Sequence, residues 1–382
     1  MPGKITARSL GHAKKLIAAA VSVIIMLLLI LVPGPALSGA RRGLSLCGET
    51  VIPSLFPFLV MSSFVISSGL ADACGRLFEP LTRRVFRLPG CAGAAFILGA
   101  IGGYPVGANA VAQLCTNGSL TKRDSERLLC FAINSSPAFI IGAVGAGFLG
   151  SAQAGMLLYA AHLAASISIG LILRANNKPA PKIKVRPPRK KSNAGFSAAF
   201  VESVTNSAHS IITISAFVVL FSSLNALMNH MGVTATIAGA MSKLLPAPPS
   251  DPQFFSRAVA GILEVTNGCA AAAGSNGMTA VLLTAAVLGF SGLSVQFQVI
   301  SMIREAGLSA RLFILTRFLH ITLSVFFAWA LFSAFPSAMP VGRSVTVFAF
   351  NQTGFASSFH SAPAVCAMLF ICAMLLLSLA QI

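Results

Sequence analysis

The sequence predicts an all-α polytopic membrane protein, built as an inverted-topology repeat with two re-entrant hairpins, two broken helices and about eight full crossings. Three observations predict it. The 382 residues are 55% hydrophobic and 9% charged, with a mean hydropathy of +0.83, and apolar runs near 20 residues mark membrane helices rather than a soluble core. The basic residues gather in a few loops. Two stretches, 44–175 and 198–334, share one layout, the sequence-level sign of a duplicated membrane unit.

Each stretch opens on a glutamate leading into an apolar segment, Glu49 in GETVIPSLFPFLVMSSF and Glu202 in VESVTNSAHSIITISAF. A glycine-rich or polar-tipped segment follows, IGGYPVGANA and ILEVTNGCAA. Then comes an apolar segment broken by polar residues, FAINSSPAF and GFSGLSVQF, and a closing helix with a histidine, His162 and His320. From Asn134 and Gly292 to these histidines the offset between the stretches stays at 158 without a gap.

Charge orients the segments, because cytoplasmic loops carry an excess of Lys and Arg. Five clusters hold 22 of the 27 basic residues: the N-tail (Lys4, Arg8, Lys14, Lys15), residues 76–87, LTKRDSER, the stretch Arg174–Lys191, and residues 304–317 including Arg317. Arg41, Arg42, Lys243, Arg257 and Arg343 remain for the other face. Residues 16–38 then form a first crossing, retained rather than cleaved as a signal peptide near Ser38 and Ala40, with the N-terminus in the cytoplasm. Residues 45–70 cross inward. Residues 92–120 begin and end inside and are short for two crossings, so they read as a hairpin with its tip at 102–107. Residues 128–150 cross outward, broken near 134–137, and 153–174 return to a basic linker, 176–197. The second stretch runs in the opposite sense: 199–228 outward, a hairpin with its tip at 264–268, 279–302 inward with a break near 291–294, and 308–334 outward. Residues 335–382 supply an external segment and a last crossing near 362–380, and residues 1–43 the N-tail and first helix.

Composition excludes several functions. The net charge of +18 belongs to loops and to a Pro/Lys-rich linker without aromatic interleaving, so the partners it implies are anionic lipids and not nucleic acid. The eight cysteines are scattered, without a C-x-x-C pair, and read as free apolar thiols; no metal site is expected. G-x-S-x-G, H-E-x-x-H and P-loop motifs are absent, and no enzymatic activity is expected.

The candidate site residues lie at the interruptions. Non-helical backbone at membrane depth must face protein or a water-filled cavity. The first hairpin offers Gly103, Tyr104, Gly107 and Asn109; the first break offers Asn134, Ser135 and Ser136, with Pro137 disfavouring helix at Ser136. The second hairpin offers Glu264, Thr266 and Asn267, and the second break Ser291 and Ser294. Half-helix N-termini at such breaks attract anions, and the carbonyls at the opposite ends suit coupling to Na⁺ or H⁺. No other cofactor is expected. Glu264 is the acid placed at depth, where an ionisable group points to function; a packing role, neutral or paired with Arg257, is the alternative. His162 and His320 read as packing histidines before proton relays, and small residues at the breaks also serve close packing.

Five runs, IPSLFPFLVMSSFVISSGL, IGGYPVGANAVAQL, ERLLCFAINSSPAFIIGAVGAGFLG, ILEVTNGCAAA and LGFSGLSVQFQVISMI, resemble the sporulation integral membrane protein family YlbJ, within the nucleoside-recognition or Gate-domain membrane proteins. The architecture is similar to that of concentrative nucleoside transporters. The resemblance spans residues 44–334 and implies transport of a small anionic solute. For the sporulation branch that solute is dipicolinic acid, carried across the outer forespore membrane of an endospore former. Its carboxylates would meet helix N-termini and its ring Tyr104 or Phe139. The acidic and glutamine ligands of the first hairpin in nucleoside transporters have no counterpart in GGYPVGA, since Gln113 lies past the tip; this argues against a nucleoside. The readings that stay open are transport of a nucleoside-like or other small solute, a non-transporting gate or scaffold for spore or envelope morphogenesis, and an intramembrane enzyme on lipid-linked wall precursors. A homo-oligomer is compatible with all of them.

Overall fold

The computed structural model describes residues 16, 19–20, 22–68, 79–80, 82–175, 196–244 and 251–339. The N-tail cations, Arg76, nearly all of the basic linker, and residues 340–382 with the last expected crossing lie outside the described residues. Among the described residues there are helices and no strand.

The chain is a polytopic membrane protein, all-helical among the described residues. Four helices are long and apolar enough to span, Ala152–Arg174, Ser197–His230, Gly277–Arg304 and Arg311–Ala334, and a fifth span results if Ser22–Leu31 and Pro33–Glu49 count as one. The expected crossings 45–70 and 128–150 hold shorter apolar helices, Leu55–Ser67 and Ala138–Phe148.

The first crossing differs from the sequence reading. Residues 16–38 are not one helix: α1 (Ser22–Leu31) and the helix after it meet at 101°. Val32 has left helical geometry, with φ −127° and ψ 61°, because the ring of Pro33 crowds the backbone of the residue before it. The helix α2 (Pro33–Leu46) therefore runs through the 43/44 boundary and lies along α9 (Phe196–His230). Glycines make that seam close. A Cβ on Gly39 would stand 2.5 Å from the Ser222 carbonyl oxygen, and one on Gly43 2.9 Å from the Val219 Cα. Small residues four apart let membrane helices approach in this way. A π-helical turn, Cys47–Val51, joins α2 to α3 (Ile52–Ser67).

Two short helices, α4 (Gly90–Gly102) and α5 (Tyr104–Thr116), fold against each other at Gly103, whose φ of 95° and ψ of −179° only glycine adopts freely. At 13 residues each they are about 20 Å long, short of a hydrocarbon core of about 30 Å. The helix α6 (Lys122–Ala132) starts on Thr121, whose Oγ1 accepts from the Asp124 amide at 3.1 Å. Residues 133–136 are not helical; α7 (Ala138–Phe148) then winds as a π-helix, and α8 (Ala152–Ala175) closes the first half.

The second half repeats this order. After α9 and α10 (Val233–Leu244) come the hairpin α11 (Phe254–Leu263) and α12 (Val265–Ala272), the broken pair α13 (Gly277–Phe290) and α14 (Gly292–Arg304), and the long α15 (Arg311–Ala334). The halves interlock: α15 packs on both α8 and α13, and α14 packs on α5. One apolar core runs through both halves, and a smaller one, with Cys47, Leu59, Val106, Ile211, Ile214 and Val218, lies between the first hairpin and α2, α3 and α9. Cys47, Cys115, Cys130 and Cys269 are free thiols.

Candidate functional site

Each hairpin tip abuts the break of its own half. A Cβ on Gly103 would lie 3.4 Å from the Ser136 Cβ, and one on Gly292 2.9 Å from the Val265 amide nitrogen. The two halves are tied together at the same level, where the Tyr104 hydroxyl donates to the Leu288 carbonyl at 2.8 Å. Between them is a cavity of about 110 Å³. A single water needs roughly 10–15 Å³ of such space, so the cavity has room for several waters or a small solute. Its polar wall is Ser135, Ser136, Glu264, Thr266 and Gln298; Tyr104 and Phe139 present rings, and Leu46, Val51, Leu55, Ile214, Val218, Val265 and Val295 complete it.

Of the residues expected at the site, Gly103, Tyr104, Ser135, Ser136, Glu264 and Thr266 line the cavity. The others do not, and each has a local reason. Gly107 faces the Ala132 carbonyl, 2.4 Å from where its Cβ would be. Asn109 accepts from Gln113 Nε2 at 3.3 Å. Asn134 folds back, its Nδ2 donating to the Phe131 carbonyl at 2.8 Å. Asn267 gives its amide to Glu264. Ser291 is left-handed, φ 68°, with its hydroxyl donating to the Phe290 carbonyl. Ser294 accepts from Gln298 Nε2 at 3.2 Å. Gln298 itself was not expected; it sits one helical turn after Ser294 and so shares its face.

Glu264 is 2% exposed and forms the cap of α12: one carboxylate oxygen accepts from the Thr266 amide at 3.0 Å, the other from the Asn267 amide at 2.7 Å. It thus occupies the anion-attracting N-terminus at its own tip. The pairing with Arg257 does not form. Arg257 instead donates to Asp251 at 2.9 Å and Ser275 at 2.7 Å, at the base of the hairpin.

The end of α6 carries the most concentrated polar arrangement. A helix C-terminus leaves four carbonyls without intrahelical donors. Here Arg317 donates to the carbonyls of Cys130 at 2.6 Å and Ile133 at 3.3 Å, and Asn134 and Ser166 both donate to that of Phe131. The Ala132 carbonyl is pressed on by Gly99 and Gly107. Served in this way, these carbonyls are not open to a coupling cation. The Ser135 amide donates to His162 Nε2 at 3.2 Å, and His320 Nε2 lies 3.3 Å from the His162 carbonyl. The two rings stack at 4.5 Å.

Arg317 overturns one sequence assignment. Its place among the loop cations of 304–317 is wrong: it is fully buried in the second turn of α15, with its guanidinium 4.8 Å from the Phe313 ring centroid. The charge bias does not depend on it. The two loops expected on one side, LTKRDSER and IREAGLSAR, do meet, since the Ser309 amide donates to Glu126 Oε1 at 2.8 Å.

A family model described as nucleoside recognition, Gate, matches residues 49–152, the part that holds the first hairpin and the first break. The chain is also similar to the sporulation integral membrane protein YlbJ of Bacillus subtilis (strain 168), 28% identical over 307 residues that cover 75% of each chain. No solved structure matches. Both matches agree with the resemblance that the five sequence runs carry.

Proposed function

We propose that the chain is a secondary transporter of a small anionic metabolite, and that the solute is dipicolinate when the host forms endospores. The observation that carries this reading is a cavity lined by both hairpin tips, by the first break, and by Val295 and Gln298 of α14 just past the second. A scaffold or gate without a solute has no need of such a chamber. Hairpin arms too short to span support their reading as re-entrant, and the repeated element order supports an inverted pair of halves around a central site. The wall suits a flat aromatic acid: two rings and an apolar surface for the ring, with Ser135, Ser136, Thr266 and Gln298 for oxygen atoms. The occupied carbonyls at the end of α6 favour H⁺ over Na⁺ as the coupling ion, with Glu264 as the acid in reach. Transport rather than catalysis is proposed because Glu264 stands in that wall without a second acid.

The test is uptake of radiolabelled dipicolinate by proteoliposomes holding the full-length chain, with and without a pH gradient. Uptake that saturates and is competed by unlabelled dipicolinate is expected. Uptake equal to that of protein-free vesicles overturns the reading.

A further inference from the structure

We infer that Arg317 is the specificity-determining cation of the cavity, a positive charge set behind the first helix break that selects a carboxylate-bearing solute. The inference rests on the transport reading above and adds the group that makes the solute an anion. Arg317 has no solvent exposure and no carboxylate partner among the described residues; its donors meet only the Cys130 and Ile133 carbonyls, and its Nε has no acceptor. Burying a cation without a counter-ion is costly, and the carbonyl end of α6 with the Phe313 ring offsets only part of that cost.

Capping alone does not require the charge. The carbonyl of Phe131, between the two that Arg317 holds, is served by the neutral groups of Asn134 and Ser166. The chain thus has neutral donors for this helix end and yet keeps a guanidinium there. Ser135 and Ser136, two and three residues beyond Ile133, stand in the cavity wall, which contains Glu264 and no basic residue. Arg127, buried on α6, and Arg257, part-exposed at the base of the second hairpin, are by contrast paired with Asp124 and Asp251. Arg317 therefore stands behind the wall as a buried positive charge without a carboxylate partner among the described residues, and the Ile133 carbonyl that it holds is two residues before Ser135. It acts through the Ser135–Ser136 segment and is a positioning and field-setting residue, not a contact residue.

The experiment measures equilibrium binding of pyridine-2,6-dicarboxylate and of its neutral isostere, pyridine-2,6-dicarboxamide, to the purified full-length chain, R317K and R317M. The parent is expected to prefer the dicarboxylate. R317K, which keeps the charge, keeps the preference; R317M loses at least about tenfold in dicarboxylate affinity while its diamide affinity is unchanged. Equal losses for both ligands in R317M, or an unchanged preference, overturn the inference and leave Arg317 a structural cap. If R317M does not fold, R317Q, which keeps a donor for one carbonyl, is read by the same ratio. A parent that binds no dicarboxylate overturns the transport reading itself, whereas a parent that binds it with R317M equally selective removes only the role of Arg317.

Discussion

His162 and His320 stack ring on ring, with centroids 4.5 Å apart and planes inclined by 26°, and they stand 158 positions apart, the same offset that relates the two halves of the sequence. Two residues that the expected repeat would match thus meet in space. One hydrogen bond of the pair also links the halves, from His320 Nε2 to the His162 carbonyl, while His162 Nε2 accepts from the Ser135 amide within the first half.

Replacing His162 with Phe keeps the stack and removes the acceptor for the Ser135 amide. A buried amide left without an acceptor costs about 1–3 kcal/mol. Since His320 depends on the His162 backbone and ring, H162F and H320F are expected to be non-additive by about 0.5 kcal/mol or more in a double-mutant cycle, measured as thermal unfolding in detergent.

Glu264→Ala strips the acceptor from the Thr266 and Asn267 amides at the start of an eight-residue helix. It is expected to destabilise the chain by about 1–2 kcal/mol and to abolish uptake. Asp, a preferred cap with a shorter reach, recovers part of the stability; unfolding and uptake assays on the same preparations separate the two effects.

Gly107→Ala and Gly268→Ala force a methyl group to 2.4 Å from the Ala132 carbonyl oxygen and to 2.2 Å from the Gly261 Cα. Overpacking of this kind costs about 1–3 kcal/mol, and a lower unfolding midpoint is expected for both. Gly142→Ala is the control, since a Cβ there has nothing within 4 Å.

Ser291→Gly relieves a left-handed backbone, φ 68°, which costs a side-chain-bearing residue about 1 kcal/mol. The variant is expected to be at least as stable as the parent and to transport normally, because the Ser291 hydroxyl is turned to the Phe290 carbonyl and not to the cavity. Loss of uptake in a stable S291G protein would restore Ser291 as a ligand.

The interruptions were legible because glycine and proline act locally. The expected tips at 102–107 and 264–268 contain the actual turns at Gly103 and Glu264, and the breaks expected at 134–137 and 291–294 lie over residues 133–136 and Ser291. Which of their side chains reach the cavity was not legible. That depends on helix rotation and on local hydrogen bonds such as those that turn Asn134 and Ser291 away. Arg317 was misread because Arg304 and Arg311 precede it, although the apolar run ILTRFLHITL around it already belongs to a helix interior. The 101° corner at Val32 comes from Pro33, whose effect on the residue before it hydropathy does not register.

The glycine contacts within each hairpin have a mechanical consequence. Gly99 and Gly107 press on Ala132, and Gly261 and Gly268 press on each other and on Val287, so backbone meets backbone or a stiff branched side chain with no pliable layer between. Such joints are welds: each hairpin and the inner part of its broken helix form one stiff block. The α2–α9 seam at Gly39 and Gly43 is a weld of the same kind. The contact between the first hairpin and the α3–α9 wall is of another kind: Leu98 and Val106 of the hairpin share an apolar cluster with Leu59, Ile211, Ile214 and Val218. These hydrocarbon side chains adapt where the glycine joints do not; Gln113 Nε2 donates across the same contact to Ser63 Oγ at 3.1 Å, and Ile214 and Val218 of the cluster border the cavity. The compliant joint beside the chamber is therefore a greasy bearing between stiff blocks and not a hinge within a helix.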